Sequence, residues 1–316
     1  MNRLRKPIGV ISVPFDLGAA RRGAAGGPHA IMQAGLEADL RRLGYDVHRY
    51  EPFPVDDGAT IDLGTDKDAI ATEGANTAQS KLNFVREVAA ANRLLAEQVA
   101  ATAARGQFPL VLGGDHSIAV GTIAGMADRY ANLGVVWFDA HSDLNTAETT
   151  PSGNIHGMSL AASLGLGPPE LTGIRGHAPK LKPENVVLIG TRSLDQGEKE
   201  LIRASNITCY TMHDIDRKGI PLVMEETIRK LSGSCDGVHL SFDADSVDPL
   251  FAPGTGTPVR GGISYREAHL ALELLCEAGI VTSAEFVEVN PAIDIRNETA
   301  RLTVELIASL LGDTIL

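Results

Sequence analysis

Short apolar runs and amphipathic stretches alternate along almost the whole chain. Runs enriched in β-branched and aromatic residues predict strands at 7–14, 45–50, 108–112, 135–138, 186–190, 207–210, 237–242 and 281–289. Between them, apolar positions recur every three or four residues, the period of a helix with one buried face. Helices are predicted near 28–43, 79–105, 117–130, 197–204, 221–231, 264–278 and 298–311. The longest carries Phe84, Val85, Val88, Leu94, Leu95 and Val99 on its apolar stripe. Pro28 suits the first turn of its helix. Residues 51–78, rich in Asp, Gly and Thr, predict a surface loop. Strands followed in turn by helices predict an α/β fold, a mostly parallel sheet with helices on both faces. No linker, repeat or low-complexity run divides the chain, so residues 1–316 read as one domain.

The strand ends carry the chemistry. Val135-Val136-Trp137-Phe138 runs into Asp139-Ala140-His141-Ser142-Asp143. In extended backbone, side chains two apart point the same way, so Asp139, His141 and Asp143 can converge just past the strand. A solvated turn could carry the same pattern. Val238-His239-Leu240-Ser241-Phe242, however, leads into Asp243-Ala244-Asp245 in the same manner, and Phe108–Leu112 leads into Gly113-Gly114-Asp115-His116-Ser117. Three apolar strands ending in Asp or His are hard to explain as three unrelated turns. Open α/β sheets build their sites at this end of their strands.

Composition narrows the partners. With 28 basic and 40 acidic residues the net charge is −12, which disfavours nucleic acid and anionic membranes. No apolar run approaches the roughly 18 residues needed to span a bilayer. Cys209, Cys235 and Cys276 are widely spaced and odd in number, which predicts buried thiols in a reduced, cytoplasmic protein. The glycine-rich loop at 15–23 lacks both the Gly-x-Gly-x-x-Gly and Gly-Lys-Ser/Thr patterns, so it gives little support to a nucleotide site.

The candidate metal ligands are His116, Asp139, His141, Asp143, Asp243 and Asp245. Four carboxylates exceed what one divalent ion can balance, and two ions carry matching charge. Oxygen-rich ligation with two imidazoles and no thiolate suits manganese or magnesium better than structural zinc. Two such ions about 3.5–4 Å apart can turn a shared water into hydroxide near neutral pH.

Gly-Gly-Asp-His-Ser, Asp-Ala-His-Ser-Asp and Ser-Phe-Asp-Ala-Asp together resemble the ureohydrolase family, and its bacterial arginase branch in particular. The similarity runs from Val13-Pro14-Phe15-Asp16-Leu17-Gly18 to Glu288-Val289-Asn290-Pro291. It implies a three-layer α/β/α sandwich and two Mn2+ per subunit. Asp139 and Asp243 would bridge the ions, with His116 and Asp143 completing one shell and His141 and Asp245 the other. The implied reaction is attack of a metal-bridging hydroxide on the guanidinium carbon of L-arginine, giving urea and L-ornithine. The catalytic set carried over is His156 as proton shuttle, Glu288 as guanidinium-binding carboxylate, and Asp143.

The same resemblance matches Asn145, Ser152 and Asn154 to carboxylate-binding positions and Asp195 to an ammonium-binding one. The Ser-Gly-Asn-Ile-His-Gly loop at 152–157 is characteristic of arginases. Ser193 is a departure, because some arginases carry Asp there. The runner-up function is agmatinase or another guanidino-acid ureohydrolase. A single-zinc deacetylase of related fold and a non-catalytic binding protein fit less well, because all six ligands are present. Arginases generally form trimers or hexamers, so a homotrimer or homohexamer is expected. Of the nine histidines, His29, His48, His177, His213 and His269 read as solvated or packed, and His239 as packed with a possible supporting role.

Overall fold

In a computed structural model, residues 6–52 and 81–315 are described. They contain eight strands: β1 (Ile8–Val13), β2 (Val47–Arg49), β3 (Phe108–Gly113), β4 (Leu133–Phe138), β5 (Val186–Thr191), β6 (Thr208–Thr211), β7 (Gly237–Asp243) and β8 (Val281–Val287). All pair in parallel, in the order β2-β1-β3-β8-β7-β4-β5-β6. A parallel sheet must be covered on both faces, which is why its inner strands read as continuous apolar runs. β3, β4, β5 and β7 are buried at every residue, whereas the edge strand β6 is half-exposed throughout.

Alternation along each strand divides the core in two. Leu110, Leu112, Phe138, Phe242 and Phe286 face the helices Gly27–Gln33, Leu36–Arg42, Ile220–Ser234, Tyr265–Ala278 and Glu298–Leu310. Val111, Val135, Trp137 and Val287 face the helices Val85–Ala104, Ala119–Ala127 and Ser159–Ser163. The result is the expected α/β/α sandwich. Phe138, Phe242 and Phe286 stand opposite one another across β4, β7 and β8, with ring centroids 5.3 and 5.4 Å apart. Slipping any of these strands by one residue would turn its ring to the other face.

Several elements differ from expectation. The first predicted helix is two, broken at Ala34-Gly35. The long helix begins only at Val85, because Phe84 takes a left-handed φ of 52°. Of the loop predicted at 51–78, residues 53–78, and with them the helix start at 79–80, lie outside the described residues. Helix Met212–Lys218 has too few residues for a periodic pattern, although the capping box Thr211-x-x-Asp214 marks its start. Among the described residues the three cysteines form no disulfide, and they are only partly buried where burial was expected. Cys209 lies on the edge strand and Cys235 just past a helix end. Among the described residues, no helix is long and apolar enough to cross a membrane.

Candidate active site

The four central strands, β3, β8, β7 and β4, deliver the six candidate ligands and Glu288 at or just past their carboxyl ends. After β3, the chain needs glycine at Gly114, where a Cβ would sit 1.8 Å from the Phe15 carbonyl oxygen. That approach lets Asp115 accept hydrogen bonds from the Gly18 and Ala19 amides at 2.7 and 3.1 Å, and from the Ser117 amide at 2.9 Å. The turn is thereby fixed with His116 aimed into the site. Burial, and then the charge of Glu288, push Asp115 up to about 6.

The other turns hold their carboxylates by similar means. Asp139 accepts from the His141 amide at 2.7 Å and from the Trp137 indole at 3.1 Å. Asp243 accepts from the Asp245 amide at 2.7 Å. Asp245 accepts from the Ala140 amide at 3.2 Å and the Thr257 hydroxyl at 2.9 Å, tying β7's turn to β4's. Trp137 also stacks on His116, with centroids 4.2 Å apart and planes 11° apart, a contact worth about 0.5–1.5 kcal/mol. Asp143 and Glu288 are both held at left-handed φ, 52° and 63°, a strain that concentrates where function over-determines the backbone.

The six predicted ligands form one cluster. His116 Nδ1 lies 3.2 Å from Asp139 Oδ2 and 3.1 Å from both Asp143 Oδ2 and Asp243 Oδ2. His141 Nδ1 lies 3.4 Å from Asp139 Oδ1 and 3.3 Å from Asp245 Oδ2. Two sets of donors each fall within 4.8 Å of one another, His116–Asp139–Asp243 and Asp139–His141–Asp245, with Asp139 common to both. His116 Nδ1 is buried among three carboxylate oxygens without a hydrogen-bond partner. Imidazole and carboxylate donors converging in this way fit a pair of hard divalent cations.

The electrostatics agree with that fit. Burial would lower His141, but hydrogen bonds and charge from Asp139 and Asp245 push it up to about 12. Burial and the charge of Asp139 push Asp143 up to about 6, and burial with Asp245 and Asp139 drives Asp243 well above the usual carboxylate range. Asp139 goes the other way. Burial would raise it, and its contacts with His116 and His141 hold it far below the ordinary value. The cluster thus retains protons at positions where a bound cation would supply the positive charge.

Beneath His116 lies a polar chain of which sequence reasoning singled out His239 alone. His116 Nε2 is 2.8 Å from Ser241 Oγ, and Ser241 donates to Glu285 Oε1 at 2.8 Å. His239 Nε2 lies 3.3 Å from the same oxygen, and its Nδ1 is 2.9 Å from Ser283 Oγ. All five residues are fully buried or within 1 % of it. Burial would raise Glu285, but the charge of His239 beside it outweighs burial and holds the carboxyl below its ordinary value. A carboxylate only accepts, so the Ser241 proton goes to Glu285 and its oxygen accepts from His116 Nε2–H. The proton that can leave His116 is therefore the one on Nδ1, the atom facing the carboxylates. His239 is packed in the core as expected, and it also belongs to this chain.

Glu288 Oε1 accepts from the His116 amide at 2.9 Å and stands 3.1 Å from His156 Nδ1. Burial would raise Glu288, and His156 more than offsets it, holding the carboxyl below its ordinary value. Burial would lower His156, and Glu288, with Asp115 and Asp143, pushes it up to about 9.

Above the cluster opens a cleft whose floor includes His141, Asp143 and Asp243 and whose walls include His156, Asn145, Ser152, Asn154 and Asp195. His116, Asp139, Asp245 and Glu288 are buried below it. Asn145 donates to Asp195 at 2.9 Å, so two of the predicted substrate contacts hold each other. Ser193, the departure noted above, also lines the cleft. Glu198 was not foreseen. It accepts from Ser142 Oγ at 2.7 Å, the Leu144 amide at 3.2 Å and the Asp195 amide at 2.8 Å, fastening the Asp195 turn to the ligand turn. The Asp195-x-x-Glu198 capping box was its available signal.

Comparison with known proteins bears on this geometry. The model of the Arginase family matches residues 6–312. The arginase of Bacillus caldovelox is 55% identical over 311 residues, spanning 98% of this chain and 100% of that protein. The crystal structure of arginase from Bacillus subtilis superposes with a TM-score of 0.89 at 53% identity, covering 98% of this chain and 100% of the other. Entamoeba histolytica arginase, solved in complex with L-ornithine, gives a TM-score of 0.85 at 33% identity over 98% of each chain.

Proposed function

The chain belongs to the arginase family, and from that premise we propose that it hydrolyses L-arginine to L-ornithine and urea with two Mn2+ bound by the clustered carboxylates and imidazoles. The observation that carries the metal part is the pair of donor sets sharing Asp139. His116, Asp139, Asp143 and Asp243 would hold one ion, and His141 and Asp245, with Asp139 and Asp243, the other. When bound, the ions supply Lewis-acid chemistry and lower the pKa of water at the site.

The protein's own groups do the rest. Glu288 is ionised and presents a buried carboxylate to a guanidinium, orienting its carbon over the cluster. His156, held protonated against Glu288, keeps a proton beside the cleft for the departing amine. Asn145, Ser152 and Asn154 offer neutral donors to the α-carboxylate, and Asp195 an anion to the α-ammonium. In this reading residues 1–316 work as one domain, in the cytoplasm, within a homotrimer or homohexamer.

Urea release with manganese supplied, measured on L-arginine and on agmatine, tests the proposal. A site with several polar partners for the amino-acid end should favour L-arginine by about 10³-fold or more, because agmatine leaves them unpaired. Preference for agmatine would move the chain to the runner-up activity.

A further inference from the structure

Asn83 precedes the long helix, outside every motif discussed above, yet it grips the loop that carries Ser152 and Asn154. Its backbone amide donates to the Gly153 carbonyl at 2.9 Å. Its side-chain Nδ2 donates to the Ser152 carbonyl at 3.2 Å and to Asn154 Oδ1 at 2.9 Å. The fit is close, since a Cβ on Gly153, where φ is 76°, would lie 2.1 Å from the Lys81 carbonyl oxygen. Glycine is therefore required there for a purpose that lies in the neighbouring segment.

These contacts fix which way the Asn154 amide faces. A backbone carbonyl can only accept, so the Ser152 contact requires the nitrogen end of the Asn83 amide on that side. The same nitrogen meets Asn154, whose nearer atom must then be its oxygen. The Asn154 NH2 group is left to point away from Asn83, and Asn154 lines the cleft. A carboxylate entering the cleft needs a donor there, and an amide turned the other way would present an oxygen to an anion.

We propose that Asn83 is a positioning residue for substrate specificity, acting through Asn154 to keep the cleft a donor for the α-carboxylate of the substrate. The inference rests on the reading of the cleft as an L-arginine site. Asn83 itself is exposed and its backbone bond survives substitution, so variants here leave the core untouched.

Asn83→Asp tests it. The variant keeps the shape, loses the donor and sets an acceptor against Asn154 Oδ1, which favours the turned amide. The lost hydrogen bond is one to a charged group, so KM for L-arginine should rise about 10- to 100-fold while kcat stays within about twofold. Agmatine has no carboxylate, and its kcat/KM should stay within about twofold of wild type. Asn83→Ala removes the donor without adding an acceptor and should have the smaller effect. Unchanged KM for L-arginine in Asn83→Asp, or equal losses on both substrates, would overturn the proposal. Wild-type protein that hydrolyses agmatine as readily as L-arginine would instead overturn the functional reading, and this inference with it.

Discussion

Ser241 Oγ lies 2.8 Å from His116 Nε2, the ring nitrogen that does not face the carboxylates. Because Glu285 takes the hydroxyl proton, this contact keeps a hydrogen on Nε2 and frees Nδ1 for a cation. Outer partners of this kind typically change metal affinity by about 10- to 100-fold. Glu285→Gln and Ser241→Ala should each weaken Mn2+ binding to metal-free protein within that range, as read by calorimetric titration. The double variant should bind no worse than the weaker single one, since both changes cut one path. Additive losses would mean that the two residues act separately.

Losing a carboxylate that serves both ions, Asp139 or Asp243, should cost the most metal. Asp139 belongs to both donor sets and, like Asp243, is assigned to both ions, so Asp139→Asn is expected to take metal content from two ions per chain to none. Elemental analysis after manganese loading and desalting measures this. Retention of one ion would show that the second set is complete without it.

Glu288→Gln separates binding of the guanidinium from binding of metal. The variant keeps the hydrogen-bond reach to His156 and removes the charge. Loss of about 1.5–3 kcal/mol of charge-assisted bonding, with lost orientation, should lower kcat/KM about 10- to 1000-fold. Metal content should be unchanged, and a variant that lost manganese would make Glu288 a ligand.

The His156–Glu288 pair makes stability depend on pH in a defined direction. His156 titrates near 9 in the folded chain against about 6.5 unfolded, so its contribution is complete below pH about 6.5 and is lost as pH rises through about 9. Glu288, held below its ordinary value, contributes above the usual carboxylate range and loses that as pH falls. The shift of His156 corresponds to roughly 3 kcal/mol. Thermal unfolding of metal-free wild type and His156→Gln should therefore differ most near pH 6 and converge toward pH 10. A gap in Tm that stays constant across this range would exclude the ion pair as its source.

The ligands at strand ends were legible because alternation follows directly from extended backbone, and Asp139, His141 and Asp143 need no knowledge of the fold to be placed together. Glu285 was not legible. Its meeting with Ser241 depends on β7 and β8 pairing in one register, which no local pattern specifies. The His239-x-Ser241-x-Asp243 alternation in a buried strand was the available hint, since polar residues there require partners. Asn83 is harder still, because its role lies in contacts with a loop far along the chain. Helix existence was readable from period, whereas the break at Ala34-Gly35 and the late start at Val85 were decided by backbone conformation.

The order of the sheet bears on how the protein is made. β3 and β4 are neighbours in the chain but lie apart in the sheet, with β8 and β7 filling the space between them. During synthesis His116 and the Asp139–Asp143 turn emerge early, on two strands that cannot yet meet across the gap. Pairing between strands so distant in sequence is slow, and until it happens both strands keep open edges exposed to other chains. A nascent chain stopped before residue 237 therefore lacks the middle of its own sheet. The two strands that fill the centre of the sheet are the last of the eight to be synthesised, and only with them in place can the carboxylates at the ends of β4 and β7 meet the imidazole that follows β3.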